Sequence, residues 1–410
     1  MKDFFKVASI EQVLSYSTGF PASGAEELLL LEADGRIIAF DFVSENDLPD
    51  FPRSTMDGYA IQAGSSFGAS ESNPAYLTIK GDVTMGKPPQ FSIARGEAAG
   101  IPTGGMLPQG ADSVVMIEHT EAVDTTMIEV FKSMAPGQNA IHAGEDFKKA
   151  GVVIEKGQKL RPQEIGLLAA FGKTSVIVHK KPVVAIISTG DEIVPIDKEP
   201  DTGQIRDINT YTLASMVRMA GGIPVLFGIV NDNLEQLFEK CSHALAHADM
   251  ILISGGSSVG TRDFTIQALS RLPDAEILVH GISISPGKPT ILARSGDKAL
   301  WGLPGHVVSA MIVFTTVVRP FILHMGGLTQ KHDKQFNVHA TLARNVSSAQ
   351  GRVDFVRVRL VRKNGIRLAH PVSGKSALIN TMIKADGLIK IGINTEGLDK
   401  GTKVSVIPMV

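Results

Sequence analysis

Residues 183–192 read VVAIISTGDE: a run of five apolar residues, then a glycine turn flanked by hydroxyls and two acids. An uninterrupted, β-branched run is what a strand buried on both faces requires, so 183–187 predicts an interior strand of a parallel sheet. Outward from it the pattern alternates. A helix is expected over 209–220, closed by Gly221-Gly222, then a strand over 225–230 and a helix over 234–248. Next come a strand over 250–254, a helix over 264–272 and a strand over 275–279. This βαβαβ order predicts a doubly wound parallel sheet with right-handed crossovers, spanning residues 181–328.

The flanks have other textures. Residues 9–39 read as helical, with Glu26-Glu27 ahead of the apolar run 28–31 and Asp34-Gly35 as the stop. Between 46 and 144 the helical period disappears. Short β-like runs (76–80, 113–118, 127–131) sit between Gly/Pro turns, which predicts a small β domain. Residues 145–179 return to a helical pattern, with Pro162 suited to the first turn of RPQEIGLLAAFG. After Gly327 the chain is strand-like again. Residues 355–361 alternate, and Asn364-Gly365 is a hairpin signal before 366–369, so a C-terminal β domain is expected over 329–410.

Composition excludes several classes. The 410 residues carry 40 Lys+Arg against 42 Asp+Glu, a net charge of −2, without the basic surplus that a sequence-independent nucleic-acid binder needs. With 43% hydrophobic and 20% charged residues the chain is built to fold. Its single cysteine, Cys241, permits no internal disulfide and suits a reducing compartment. The longest uncharged apolar stretch, 307–318, is closed by Arg319 and Pro320. That is short of the ~20 residues a span requires, so a core helix and no membrane partner are expected. The opening MKDFFKVASIEQVL lacks the apolar region of a signal peptide, which makes the cytoplasm the expected location.

In a doubly wound sheet, ligands bind beyond the carboxyl ends of the strands. There this sequence places STGDE (188–192), Asn231-Asp232, GGSSVGTRD (255–263), SPGKP (285–289) and LPGH (303–306). A solvated edge with ordinary turns is one reading, and Asp191 as a turn cap another. The specific one is a phosphate or oxyanion site, because glycine-rich turns and helix starts expose N–H groups to anions. Asp191, Glu192, Asp232 and Asp263 flank it, and acids beside a polyanion call for a divalent cation with oxygen ligands, Mg2+ above all. Far away in sequence, PRSTMDGYA (52–60), IPTGG (101–105) and GED (144–146) form a second polar set. It can reach the sheet's crevice only through long-range folding or across a dimer interface.

Other matches fail on context. GDVTMGKP (81–88) has Pro88 where a Walker A loop needs Ser or Thr. GSSVG (256–260) fits a nucleophile elbow around Ser258, with Asp263 and His280 or His306 to recruit. Yet the acid stands only five residues on. His243 and His247 have metal-compatible spacing but no third ligand, and Cys241 reads as a packed small hydrophobe.

Taken together and in order, PRSTMDGYA, IPTGG, GED, STGDE, GGSSVGTRD, SPGKP, GLPG and Gly351-Arg352 resemble the molybdopterin molybdenumtransferases of molybdenum-cofactor biosynthesis, and also the C-terminal domain of gephyrin. The resemblance runs from about residue 9 to 391. It implies an elongated, intertwined homodimer with four domains per chain: a discontinuous first domain (1–45 and 145–180), a β-rich domain (46–144), the molybdopterin-binding sheet domain (181–328) and the C-terminal β domain (329–410). It further implies insertion of molybdate into adenylylated molybdopterin with release of AMP. Asp57, Thr103, Asp146, Glu192 and Asp263 would be catalytic, and Glu192, Asp232 and Asp263 would hold Mg2+. The cofactor would lie on Ser188, Gly190, Gly255, Gly256, Ser258, Gly260, Pro286, Gly287, Pro304 and, around the molybdate, Lys288, Arg352 and Ser376. The dithiolene sulfurs of the substrate supply soft metal ligands, so the chain needs no cysteine cluster.

Three positions depart from the family pattern: Ser285 replaces a frequent basic residue, His306-Val307 stand for Asn-Pro, and Lys375-Ser376-Ala377 replace a glycine-flanked serine. All three fall where the oxyanion is expected. His306 there either caps the helix starting at Val307 or offers its ring to the anion. Two other functions compete: adenylylation of molybdopterin, and a non-catalytic molybdopterin-binding scaffold. Partners implied by the resemblance are a second copy, the adenylyltransferase and acceptor molybdoenzymes.

Overall fold

The computed structural model describes residues 7–255, 259–333 and 336–409, and of residues 259–263 the helical backbone alone. The chain forms two compact units. One comprises Met1–Phe40, Lys156–Ile165 and Thr174–Val410, the other Asp41–Glu155 and Gly166–Lys173.

The larger unit is organised by a six-stranded sheet. Its elements are β1 (Val183–Thr189), α1 (Asn209–Met219), β2 (Ile223–Val230), α2 (Leu234–His247), β3 (Met250–Gly255), α3 (Val259–Ser270), β4 (Ala275–His280), β5 (Ile291–Ser295), β6 (Lys298–Leu303) and α4 (Val307–Val313). The strand order is β2-β1-β3-β6-β5-β4. β2, β1, β3 and β6 are mutually parallel. The expectation of a wholly parallel sheet needs one correction, since β5 runs antiparallel to both its neighbours. Asp297 and Gly296, the latter at φ 54°, turn β5 directly back into β6, a hairpin that forbids parallel pairing.

Both faces of the sheet are covered, which explains the unbroken apolar runs. Val184, Ile186, Met250, Leu252 and Trp301 pack on one side with Phe314 and Phe321. Ala185, Ile187, Ile251 and Ile253 face Leu237, Cys241, Ala268 and Leu269 on the other. The first side is filled by one long helix, which corrects the expected stop at Arg319-Pro320. α4 passes through a π-helical turn (Phe314–Val318) into α5 (Arg319–Met325). A π turn just before a proline shifts the hydrogen-bond ladder by one residue and so accommodates the missing N–H. Among the described residues Val307–Met325 is the one helix long and apolar enough to cross a membrane, and most of it is buried in this core.

The C-terminal segment is β-rich, as expected. Val353–Lys363, Ile366–Pro371, Val338–Leu342, Lys403–Pro408 and Gly387–Ile391 pair in a closed ring around Leu342, Val358, Ile389 and Val406. Asn364 and Gly365, both with positive φ, make the hairpin turn. The helical reading of 9–39 is overturned. Only Ile10–Ser15 is α-helical, with Ser9 as its cap, and Ala25–Leu29 is a strand paired with Ser175–His179. Its side chains alternate between exposed and half-buried, a strand period that the Glu-rich composition concealed. The 145–179 stretch likewise keeps only the helix Pro162–Ala170, between the strands Val152–Ile154 and Ser175–His179.

The smaller unit holds a six-stranded sheet that includes the three expected strands, observed as Ala75–Asp82, Ser113–Met116 and Met127–Val130.

The ring of Trp301, the single tryptophan, meets Phe321 edge-on at 5.0 Å between centroids, and both are fully buried. Phe321→Ala should cost about 3–5 kcal/mol of this unit's stability and red-shift the Trp301 emission. A loss below about 1 kcal/mol in denaturant titrations would contradict the packing described.

Candidate functional site at the carboxyl edge of the sheet

Because β1 connects to β2 on one side and β3 lies on the other, the chain reverses direction between β1 and β3, which opens a crevice at their carboxyl ends. The two backbones are close there. A Cβ on Gly255 would lie 2.1 Å from the Thr189 carbonyl oxygen, so only glycine fits. Gly190 lies beneath the Glu192 carboxylate, and it is its φ of 146°, which other residues rarely adopt, that favours glycine there.

The crevice floor is polar and buried. Ser188 and Ser254 are paired in register. Ser188 Oγ donates to Asp207 Oδ1 (3.0 Å) and touches Thr210 Oγ1 (2.9 Å). Asp207 also accepts from the Thr210 amide (3.0 Å) and hydroxyl (2.7 Å), which caps α1. Asn209 Nδ2 donates to Ser254 Oγ (2.7 Å) and to the Gly305 carbonyl (2.8 Å). Of these, sequence reading identified only Ser188. The signal for the others was DINT at 207–210, an acid three residues ahead of a threonine at a helix start.

Above the floor stand the acids. Asp191 Oδ1 accepts from the Asp232 amide (3.1 Å). Burial, and after it the charges of Asp191 and Glu192, pushes the Asp232 carboxyl above its ordinary range. Among the described residues no group of three His, Cys, Asp or Glu side chains is spaced to hold a metal ion. Gly256 and Ser258 lie outside the described residues, as do the side-chain surroundings of Gly260 and Asp263.

The antiparallel β5 has a consequence for the site. Its first residue pairs with the end of β6, Ile291 opposite Gly302, so SPGKP before β5 and LPGH after β6 meet at one edge. Ile284–Ser285 also pairs with Val353–Asp354, which brings Arg352 alongside. A cavity of about 290 Å3 results, lined by Pro286, Gly287, Lys288, Pro304, Arg352 and Ser376, all expected, together with Ser285, His306 and Ser309. Arg352 Nε lies 3.0 Å from Asp354 Oδ1, whereas Lys288 is exposed to the cavity mouth. His306 occupies the N-cap position of α4, but its ring does not cap the helix. Its Nδ1 lies 2.7 Å from Ser376 Oγ, while the Ser376 carbonyl accepts from the Val308 amide (3.1 Å). Arg357, not singled out by sequence, donates to Thr381 Oγ1 and to the Gly374 carbonyl, both at 2.9 Å, and so anchors the loop that carries Ser376.

In the smaller unit two members of the second polar set meet. Asp57 Oδ1 accepts from the Thr103 amide (2.7 Å) and hydroxyl (3.0 Å), and these bonds hold its carboxyl below the ordinary range. Arg53–Ser54 pairs with Ala140–Ile141, and Ser54 exchanges backbone bonds with Gly104 and Gly105. Asp146 is exposed, its amide donating to the Leu48 carbonyl (3.1 Å).

The discarded motifs have ordinary roles where they are described. Residues 81–82 end a strand and no helix comes after them. His243 and His247 stack edge-on along α2 at 4.8 Å. Burial pushes the Cys241 thiol up to about 12, so it packs as a hydrophobe.

Comparison with known proteins agrees with this geometry. Residues 7–172 match the MoeA N-terminal region (domain I and II), 185–324 a probable molybdopterin binding domain, and 339–409 the MoeA C-terminal region (domain IV). A putative molybdopterin biosynthesis protein of Methanocaldococcus jannaschii is 36% identical over 93% of this chain and 91% of its own length. The molybdopterin molybdenumtransferase of Bacillus subtilis is 30% identical over 95% and 91%. A crystal structure of a molybdopterin biosynthesis MoeA protein from Pyrococcus horikoshii superposes with a TM-score of 0.79 at 37% identity, covering 98% of this chain and 99% of that one. Matched along its whole length in sequence and in fold, the chain belongs to the molybdopterin molybdenumtransferase family.

Proposed function

We propose that the protein transfers molybdenum from molybdate to adenylylated molybdopterin and releases AMP. Molybdenum insertion into molybdopterin is the family's activity. The adenylylated substrate, the AMP, the cation and the dimer are our own reading. The observation that carries it is the cavity where Lys288, Arg352, His306, Ser309 and Ser376 surround a space of about 290 Å3, beside the β1/β3 crevice. Molybdate is a tetrahedral dianion, and it suits two cations and hydroxyl donors converging from several directions. Asp354 offsets part of the Arg352 charge and leaves Lys288 as the main counter-charge.

The crevice takes the pterin and its pyrophosphate link. The charges of Asp191 and Glu192 bear on the partly buried Asp232 carboxyl there, and a hard cation with oxygen ligands would offset that repulsion. Glu192 and Asp232, with Asp263, would hold Mg2+, which supplies charge neutralisation at the phosphates. The chain's own residues then orient the reactants. The glycine turns at 190 and 255 let backbone approach the phosphates, and the cavity holds molybdate for the dithiolene sulfurs. In the dimer, Asp57, Thr103 and Asp146 of the second copy would form the opposite wall, contributed by that copy's domain spanning 46–144 and its junction with 1–45 and 145–180. The sheet domain (181–328) and the C-terminal domain (329–410) supply the rest.

A homodimer is supported by the exposed apolar residues Ile223, Val225 and Leu226 on the edge strand β2. Leu226 also lines one depression with Ile196 and Tyr211, which are exposed as well. An uncovered apolar sheet edge invites a partner. Light scattering should give twice the chain mass at micromolar concentration; a monomer mass contradicts the dimer. The lack of a basic surplus and the single buried cysteine fit a cytoplasmic enzyme.

Incubated with adenylylated molybdopterin and molybdate, the protein should release one AMP per molybdenum inserted, without added ATP. Consumption of ATP would instead identify an adenylyltransferase, and no nucleotide turnover a scaffold. A second test concerns Asp232. Its raised carboxyl pKa means the fold disfavours the ionised form, so that contribution to stability is full below the ordinary carboxylate range near ~4 and is lost as pH rises through the raised value. Asp232→Asn should therefore raise the Tm of the metal-free protein at neutral pH, with the gain vanishing as pH falls toward ~4. Magnesium should raise the Tm of the native protein and leave the variant unmoved. An equal magnesium response in both proteins contradicts the assignment.

A further inference from the structure

Asn209, the first residue of α1, does not itself line the cavity, yet it is bonded to both loops that build the site. Its side chain is only 6% exposed. One proton of its Nδ2 goes to Ser254 Oγ at the end of β3 (2.7 Å), the other to the Gly305 carbonyl after β6 (2.8 Å). The Gly305 carbonyl can only accept, so the amide nitrogen must face it, and the amide cannot be turned over. That orientation leaves Asn209 Oδ1 buried with no hydrogen-bond partner among the described residues, a desolvation cost that the two bonds of Nδ2 must outweigh.

The two anchors lead into different parts of the site. Ser254 precedes Gly255, whose backbone lies against Thr189 at the mouth of the crevice. Gly305 precedes His306, whose Nδ1 meets Ser376 Oγ inside the cavity. We propose that Asn209 is a positioning residue for the oxyanion: it ties the Gly305–His306 turn to the end of β3, and thereby holds the His306–Ser376 pair where molybdate is bound. This rests on the reading of the cavity as the molybdate site.

The mechanism gives a specific signature. Asn209→Asp places an acceptor-only carboxylate against the Gly305 carbonyl, which pushes the turn away and misplaces His306. Molybdate affinity, measured by calorimetry on the full-length protein with molybdate alone, should fall about tenfold or more, the scale of one lost charge-assisted hydrogen bond. In Ser376→Ala, where the pair is already broken, the same Asn209→Asp change should cost little further. Simple additivity of the two losses overturns the proposal, because a residue that merely stabilises the sheet would weaken binding equally in both backgrounds. Lys288→Ala is the control for the cavity. If it leaves affinity unchanged, the cavity reading fails. If it weakens binding while Asn209→Asp does not, Asn209 alone is misassigned. Should Asn209→Asp not fold, judged by Trp301 emission, Ser254→Ala removes just the β3 anchor and must show the same non-additivity with Ser376→Ala.

Discussion

Everything at this site depends on the contact between the ends of β1 and β3, where Gly255 lies so close to the Thr189 carbonyl that no side chain can intervene. Parallel strands aim their succeeding loops at one edge of the sheet, and the reversal between these two strands parts those loops into a crevice. The buried apolar runs set the strands side by side, and the glycines after them let the polar turns come together. Packing thus determines where the chemistry is located before any functional side chain is considered.

Two opposite electrostatic environments share this edge. On one side burial and the charges of Asp191 and Glu192 disfavour the ionised form of Asp232. On the other, Lys288, Arg352 and the His306–Ser376 pair line a cavity suited to an anion. β3 stands between the strands that lead into these two environments, and the second of them is built by the antiparallel strand β5. It lets the segment before it and the segment after β6 meet, and it places their residues against the closed ring of C-terminal strands through Ile284–Ser285. The proposed substrate, which carries both phosphates and dithiolene sulfurs, matches an edge that offers both environments.

Much of this was legible in the sequence. The doubly wound order came from alternating apolar runs and helical periods, and the hairpin at Asn364-Gly365 from its dipeptide. Pro286, Gly287, Lys288, Pro304, Arg352 and Ser376 were implied by the family resemblance of motifs far apart in sequence, and they line one cavity. What escaped had physical causes. Ala25–Leu29 is a strand only because Ser175–His179 pairs with it, a partner that local periodicity cannot reveal. The β5–β6 hairpin turns on Gly296-Asp297, a signal short enough to read as a loop. Asp207, Asn209 and Thr210 match no motif read from the sequence, and their part in the crevice floor emerges only when Ser188, Ser254 and Gly305 are brought over them.

The central claim is that the cavity between the sheet and the C-terminal ring is where molybdate binds. Anomalous scattering from crystals soaked in molybdate tests it most directly. The account predicts a molybdenum peak within hydrogen-bonding distance of Lys288 Nζ and Ser376 Oγ. Ordered molybdate found elsewhere, with this cavity empty, would contradict it.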